Sequence, residues 1–125
     1  MKQNKLLNMN NDYIYIETAE AVYIPITEEL QKVTQQLYKN STTLHLYCLY
    51  NMNYDNTIDL NSVTVCKITN SSKSSFYRMK KKLIELNIIS KVSKNIYMFN
   101  ENFGFKNAQK CQKFDNSVLF TKLYV

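Results

Sequence analysis

The sequence predicts an α+β fold, and three observations carry that expectation. From Thr64 to Asn100 the residues read, in order, as a helix, a tight turn, a basic helix and a short apolar hairpin. Upstream, two β-branched and aromatic runs, Tyr13–Ile16 and Ala21–Ile24, precede a helical spacing of Leu30, Val33 and Leu37. Charge is also uneven: eight of the sixteen Lys and Arg lie between Lys67 and Lys94 with one acid, Glu85, so that segment carries +7. Residues 1–66 carry −3 and residues 95–125 carry +2. The order of parts is that of a helix-turn-helix followed by a wing, with an N-terminal β-hairpin and an extra helix.

Each element has a local reason. Residues 1–11 are polar and read as loose. Tyr13–Ile16 and Ala21–Ile24 read as the two strands of a hairpin around Glu17-Thr18-Ala19-Glu20. Pro25 cannot donate to a ladder, so it ends the second strand or lies on an edge. Thr27 is a good N-cap, and Glu28 and Glu29 follow in the first turn, where the helix dipole favours acids. Asn40 can close that helix, and Ser41 or Thr42 caps the next. The run Leu44-His45-Leu46-Tyr47-Cys48-Leu49-Tyr50 is apolar nearly all round, which predicts burial on several sides. Asn51 to Asn56 is a turn cluster, and Ile58 can form a short strand.

Asn61 or Asp59 caps a short helix over Ser62 to Ile68, and Thr69-Asn70-Ser71 is the turn. Asn70 is the residue there best able to adopt a left-handed conformation without Gly. Ser72 caps the next helix, which runs to about Asn87, again a left-handed exit. Ile88–Val92 and Ile96–Phe99 are strands around Ser93-Lys94-Asn95, so the wing is short. Three units are expected: residues 1–40, a hairpin and helix packed on the core; 41–103, the helix-turn-helix and wing; and 104–125, an extension that docks or dimerises.

Composition narrows the function. One Gly and one Pro in 125 residues exclude glycine-rich phosphate loops. Cys48, Cys66 and Cys111 are odd in number and none forms a C-x-x-C pair, which fits reduced thiols rather than a disulfide frame or zinc site. His45 is the only histidine and lies in the apolar helix, where a core role outweighs a catalytic one. Asp55, Asp59 and Glu85 show no paired spacing for acid/base work. The expectation is therefore no enzyme, no cofactor and no metal. The N-terminal Leu6-Leu7 run is too short for a signal peptide, and no stretch approaches the ~18 apolar residues of a membrane helix. A soluble cytoplasmic protein without a membrane partner is expected.

The basic helix divides into faces at roughly 100° per residue. Phe76, Met79, Leu83 and Leu86 gather toward the core; Ser74, Tyr77, Arg78 and Lys81 gather opposite, with Lys80 and Lys82 on the flanks. A recognition helix requires such a division, because its N-terminal half enters the major groove. Arg78, the only arginine, offers a planar fork for guanine O6 and N7. Lys80, Lys81, Lys82 and Ser72 suit phosphates. Lys91 and Lys94 on the wing suit the neighbouring minor groove or backbone. The bland alternative is a solvated lysine face on a module that docks a protein.

The stretch Lys67-Ile68-Thr69-Asn70-Ser71-Ser72-Lys73-Ser74-Ser75-Phe76-Tyr77-Arg78, continuing through Leu83–Ile89 and ending Asn95–Asn100, resembles bacterial winged helix-turn-helix proteins. The resemblance spans about Thr42 to Phe103. Within that superfamily the chain looks most like replication initiators and relaxosome accessory proteins of plasmids in Gram-positive bacteria. It departs from them in Asn70 and Asn87, where Gly is usual, and in Thr69, where an aliphatic is usual. The resemblance implies DNA contacts from Lys73, Ser74, Tyr77 and Arg78 in the helix and Lys94 in the wing. The expected function is sequence-specific binding of double-stranded DNA in plasmid replication or conjugative transfer, with a transcriptional regulator as the alternative. A second copy of the chain on DNA, and plasmid replication or transfer proteins, are the further candidate partners.

Overall fold

Asparagine shapes this fold where glycine usually would. The three non-glycine residues with positive φ among those described are Asn56 (69°), Asn70 (53°) and Asn87 (60°), each at the junction of two elements. The short polar side chain makes Asn the residue type, after Gly, that best tolerates the left-handed region. The computed structural model describes residues 2–7, 13–18, 21–37 and 39–124, with side chains for 21–37 and 41–124.

The architecture is α+β. Strands β1 (Lys2–Leu7) and β2 (Tyr13–Thr18) form one antiparallel pair. Strand β3 (Ala21–Ile26) leads into helices α1 (Glu28–Gln36) and α2 (Lys39–Asn51). Strand β4 (Thr57–Asp59), helices α3 (Ser62–Thr69) and α4 (Lys73–Glu85), and strands β5 (Ile89–Lys91) and β6 (Ile96–Phe99) follow. Two 3-10 turns, Glu101–Phe103 and Ala108–Lys113, precede the last strand, β7 (Leu119–Tyr124).

The expected N-terminal hairpin is corrected. Residues 13–18 and 21–26 are both strands, but they do not pair with each other. β2 pairs with β1, from Lys2↔Thr18 to Leu7↔Tyr13, in a region expected to be loose. β3 pairs with β7, from Ala21↔Tyr124 to Ile26↔Leu119. Turn chemistry explains the exchange: the sequence of residues 8–12 is rich in asparagine, whereas Glu17-Thr18-Ala19-Glu20 holds no Gly, Asn or Pro to close a tight loop. Pro25 lies inside β3 opposite Phe120. Tyr23 directs its N–H and carbonyl to Phe105, at 2.8 and 3.0 Å, away from β7. Pro25 has the same parity, so its missing N–H removes nothing from the β3–β7 ladder.

The first helix boundary also shifts. Thr27 caps α1, its Oγ1 accepting from Leu30 N–H at 3.1 Å, but α1 ends at Leu37 rather than Asn40. Leu37 packs against the core, which turns the chain there. Asn40 and Ser41 consequently lie within α2. That helix is buried through Leu44, His45, Cys48 and Leu49, with Met52 buried just beyond its end, while Leu46 and Tyr50 are exposed. Its apolar surroundings are therefore one-sided, despite the apolar run.

The core sits between α2, α4 and a three-stranded sheet of order β4-β6-β5, in which Ile58 faces Tyr97 and Ile89 faces Phe99. Leu44, Phe76, Leu83 and Phe99 are fully buried there. A second apolar cluster holds the tail. Phe105 stacks on Tyr23 and Phe114, with ring centroids at 6.2 and 5.9 Å, and Phe120 meets Phe105 and Phe114 edge-on.

Candidate nucleic-acid interface

The junction of α3 and α4 is built from side chains that satisfy helix ends. Asn61 caps α3, its Oδ1 accepting from the amides of Val63 and Thr64 at 3.0 and 3.2 Å. Asn70 ends α3 in the left-handed conformation, and Ser71 N–H returns to the Cys66 carbonyl at 3.0 Å. Thr69 donates its hydroxyl to the Val65 carbonyl at 2.7 Å. Ser72 caps α4 by accepting from Ser75 N–H at 3.1 Å, and its hydroxyl lies 3.2 Å from that of Ser74. Its oxygen therefore already serves the helix end.

α4 separates its faces sharply. Phe76, Met79 and Leu83 are 0–1% exposed, and Leu86 is half-buried against the same core. Lys73, Ser74, Tyr77, Arg78 and Lys81 are exposed, while Lys80 and Lys82 are half-buried. Arg78 Nη2 donates to Ser75 Oγ at 3.2 Å, which lays the guanidinium back along the helix toward its N-terminus. The Lys80 ammonium lies among rings: 4.9 Å from the Tyr77 centroid, 5.4 Å from Phe76 and 5.5 Å from Tyr97. Tyr97 belongs to β6, so this contact spans two elements.

The hairpin β5–β6 is anchored at both ends. Asn87 takes the chain out of α4, and its carbonyl accepts from Asn100 Nδ2 at 2.8 Å. At the far end Leu60 N–H donates to the Asn95 carbonyl at 2.8 Å. The loop folds back through Val92 and Ser93 N–H, both donating to the Ile96 carbonyl. Lys91, Val92, Ser93 and Lys94 are all exposed. The ion pairs given by Glu101 go to Lys110 and Lys113, and among the described residues none involves Lys73, Lys81, Lys91 or Lys94.

Two buried groups lie behind this surface. His45 is 8% exposed, stacks on Phe99 at 5.7 Å, and its Nε2 has no hydrogen-bond partner. Burial lowers its pKa to about 4, so the ring is neutral at pH 7. Burial likewise pushes the Cys48 thiol up to about 12, which removes it as a nucleophile. Among the described residues no group of His, Cys, Asp and Glu is arranged to hold a metal, and no helix is long and apolar enough to cross a membrane.

Sequence reasoning missed two features. The ring contacts of Lys80 were half visible, since Phe76 and Tyr77 stand four and three residues before it, within side-chain reach on a helix. Tyr97 had no local signal. Asn56 is fully buried with its amide nitrogen bonded to two distant carbonyls, where the local sequence signals only a turn. Comparison with protein-family models, with curated proteins and with solved structures finds no match to this chain.

Proposed function

We propose that this chain is a winged helix-turn-helix protein that binds double-stranded DNA sequence-specifically. In this reading α3 and α4 are the helix-turn-helix, α4 enters the major groove, and the β5–β6 loop is the wing on the adjacent backbone or minor groove. One observation carries it. α4 exposes Ser74, Tyr77, Arg78 and Lys81 on the side opposite buried Phe76, Met79 and Leu83, Lys73 is exposed at its first turn, and Lys91 and Lys94 are exposed on the hairpin that follows. A basic helix face continued by a basic loop supplies phosphate contacts for positioning and one forked side chain for base readout. No bond is made or broken; the chemistry is counterion release and hydrogen bonding. The host process in this proposal is plasmid replication or conjugative transfer, with transcriptional regulation the alternative.

A second reading, a module that docks a protein, draws on Val63 and Ile68 of α3, which are 66% and 62% exposed. Titration of the protein onto duplex DNA at several salt concentrations separates the two. With about five phosphates neutralised, log K falls against log salt with a slope of about −4 to −5. A flat response would reject the DNA reading and favour the docking module. A footprint on the DNA that encodes the protein then locates the site and assigns the process.

A further inference from the structure

One lysine of α4 differs from its neighbours. Lys73 and Lys81 are exposed, whereas Lys80 is half-buried with three aromatic rings within 5.5 Å of its ammonium. A cation within about 6 Å of a ring face is attracted to it, and the attraction grows as water is excluded. With three rings around it, much of the ammonium surface that would otherwise meet water or a phosphate is taken.

The nearest of those rings has surface to offer. Tyr77 is 51% exposed and adjoins Arg78 on the same face of α4. Its inner side packs edge-on against Phe76, centroids 5.3 Å apart and planes at 65°. Phe76 and Lys80 thus hold the ring from two directions before any ligand arrives. A ring already fixed loses little entropy on binding. In the major groove the apolar group that a fixed ring can meet on a base edge is the C5-methyl of thymine.

We propose that Lys80 is a positioning residue rather than a phosphate ligand: it holds the Tyr77 ring on the exposed face of α4, where the ring packs against a thymine methyl. The proposal rests on the reading of α4 as the DNA-facing helix, and its test separates the two. In the free protein, NMR reports the ring contacts directly. The Lys80 ε-CH2 protons should be shifted upfield by ring currents, and Tyr77→Leu should reduce that shift. A Lys80 resonance coincident with that of Lys81 would overturn the proposal without touching the DNA reading.

On DNA, each thymine of the footprinted site is replaced in turn by uracil, which lacks only the methyl. The wild-type protein should lose roughly three- to tenfold in affinity at one position. Tyr77→Leu and Lys80→Met should bind the thymine and uracil sites alike, with the wild-type salt slope. Lys80→Arg, which keeps the cation, should restore discrimination, and Lys81→Met should lower the slope by about one while leaving discrimination intact. Melting temperatures confirm that each variant is folded. If Lys80→Met lowers the slope by about one and still discriminates, Lys80 is a phosphate ligand and the proposal fails. If the wild-type protein shows no salt-dependent duplex binding, the DNA reading fails and takes the proposal with it, while a surviving ring-current shift identifies that as the cause.

Discussion

The side-chain amide of Asn56 donates to the carbonyl of Gly104 at 2.8 Å, joining the start of β4 to the beginning of the tail. The same amide donates to Phe99 in β6 at 3.0 Å. Asn56 has a φ of 69° and is fully buried, with its Nδ2 and its backbone both committed and its Oδ1 without a hydrogen-bond partner. Asn56→Ala should cost about 2–4 kcal/mol, from two orphaned carbonyls and a strained φ. Asn56→Gly should recover only the strain. Gly104→Ala attacks the same junction, because a Cβ there would lie 2.8 Å from Leu49 Cδ2. Denaturant melts of the three variants check this; a wild-type midpoint for Asn56→Ala would remove the junction from the account.

Loss of the tail should lower stability. Truncation after Asn107 removes β7, with Phe114 and Phe120, from the aromatic cluster around Phe105, and bares the β3 edge. A destabilisation of about 2–5 kcal/mol is expected from the lost aromatic burial alone. Thermal melting of the truncated chain is the measurement, and an unchanged midpoint would contradict the pairing.

Readout and attraction should separate between Arg78 and Lys81. Both are exposed on α4, but only the guanidinium has a planar fork. Arg78→Ala should cost about 1–3 kcal/mol on the cognate duplex and little on scrambled DNA. Lys81→Ala should weaken both alike. Paired titrations on the two duplexes check it. Equal losses for Arg78→Ala on both would move base readout to Lys73, Ser74, Tyr77 or the wing around Lys94.

The neutral His45 ring makes stability depend on pH in one direction. Its folded pKa, about 4, lies below the ordinary value of 6.5, so the unfolded chain binds the proton first. The stability it permits is complete above pH 6.5 and is lost as pH falls from there to about 4. The loss is roughly 3 kcal/mol at most. His45→Phe should flatten that part of the profile, read from denaturant midpoints across the range. A wild-type profile in the variant would assign the acid sensitivity to other groups.

Local chemistry made the middle of this chain legible. Asn61 and Ser72 cap helices because a short acceptor precedes each helical run, and Asn70 and Asn87 turn because no glycine is there to do so. The buried face of α4 follows from the spacing of Phe76, Met79 and Leu83. Long-range pairing was not legible. Nothing near Val22 indicates that its partner is Leu123, and neighbouring strands with compatible patterns suggest a hairpin that does not form. Among the candidate site residues, the exposed face of α4 could be read from helical periodicity. The withdrawal of Lys80 toward Tyr97 depends on the placement of β6, which periodicity cannot supply.

The partnership of β3 with β7 has a temporal side. Ala21 emerges from the ribosome about 100 residues before Tyr124, its partner in the ladder. At ~5–20 residues per second, β3 waits ~5–20 s for the strand that covers it. The contacts among α2, α4 and β6 close over a shorter span and complete first. Until β7 arrives, β3 presents an open edge, and a neighbouring nascent chain carrying Leu119–Tyr124 is an equally good partner. The same ladder that completes the monomer is thus the point at which two chains synthesised side by side would exchange strands.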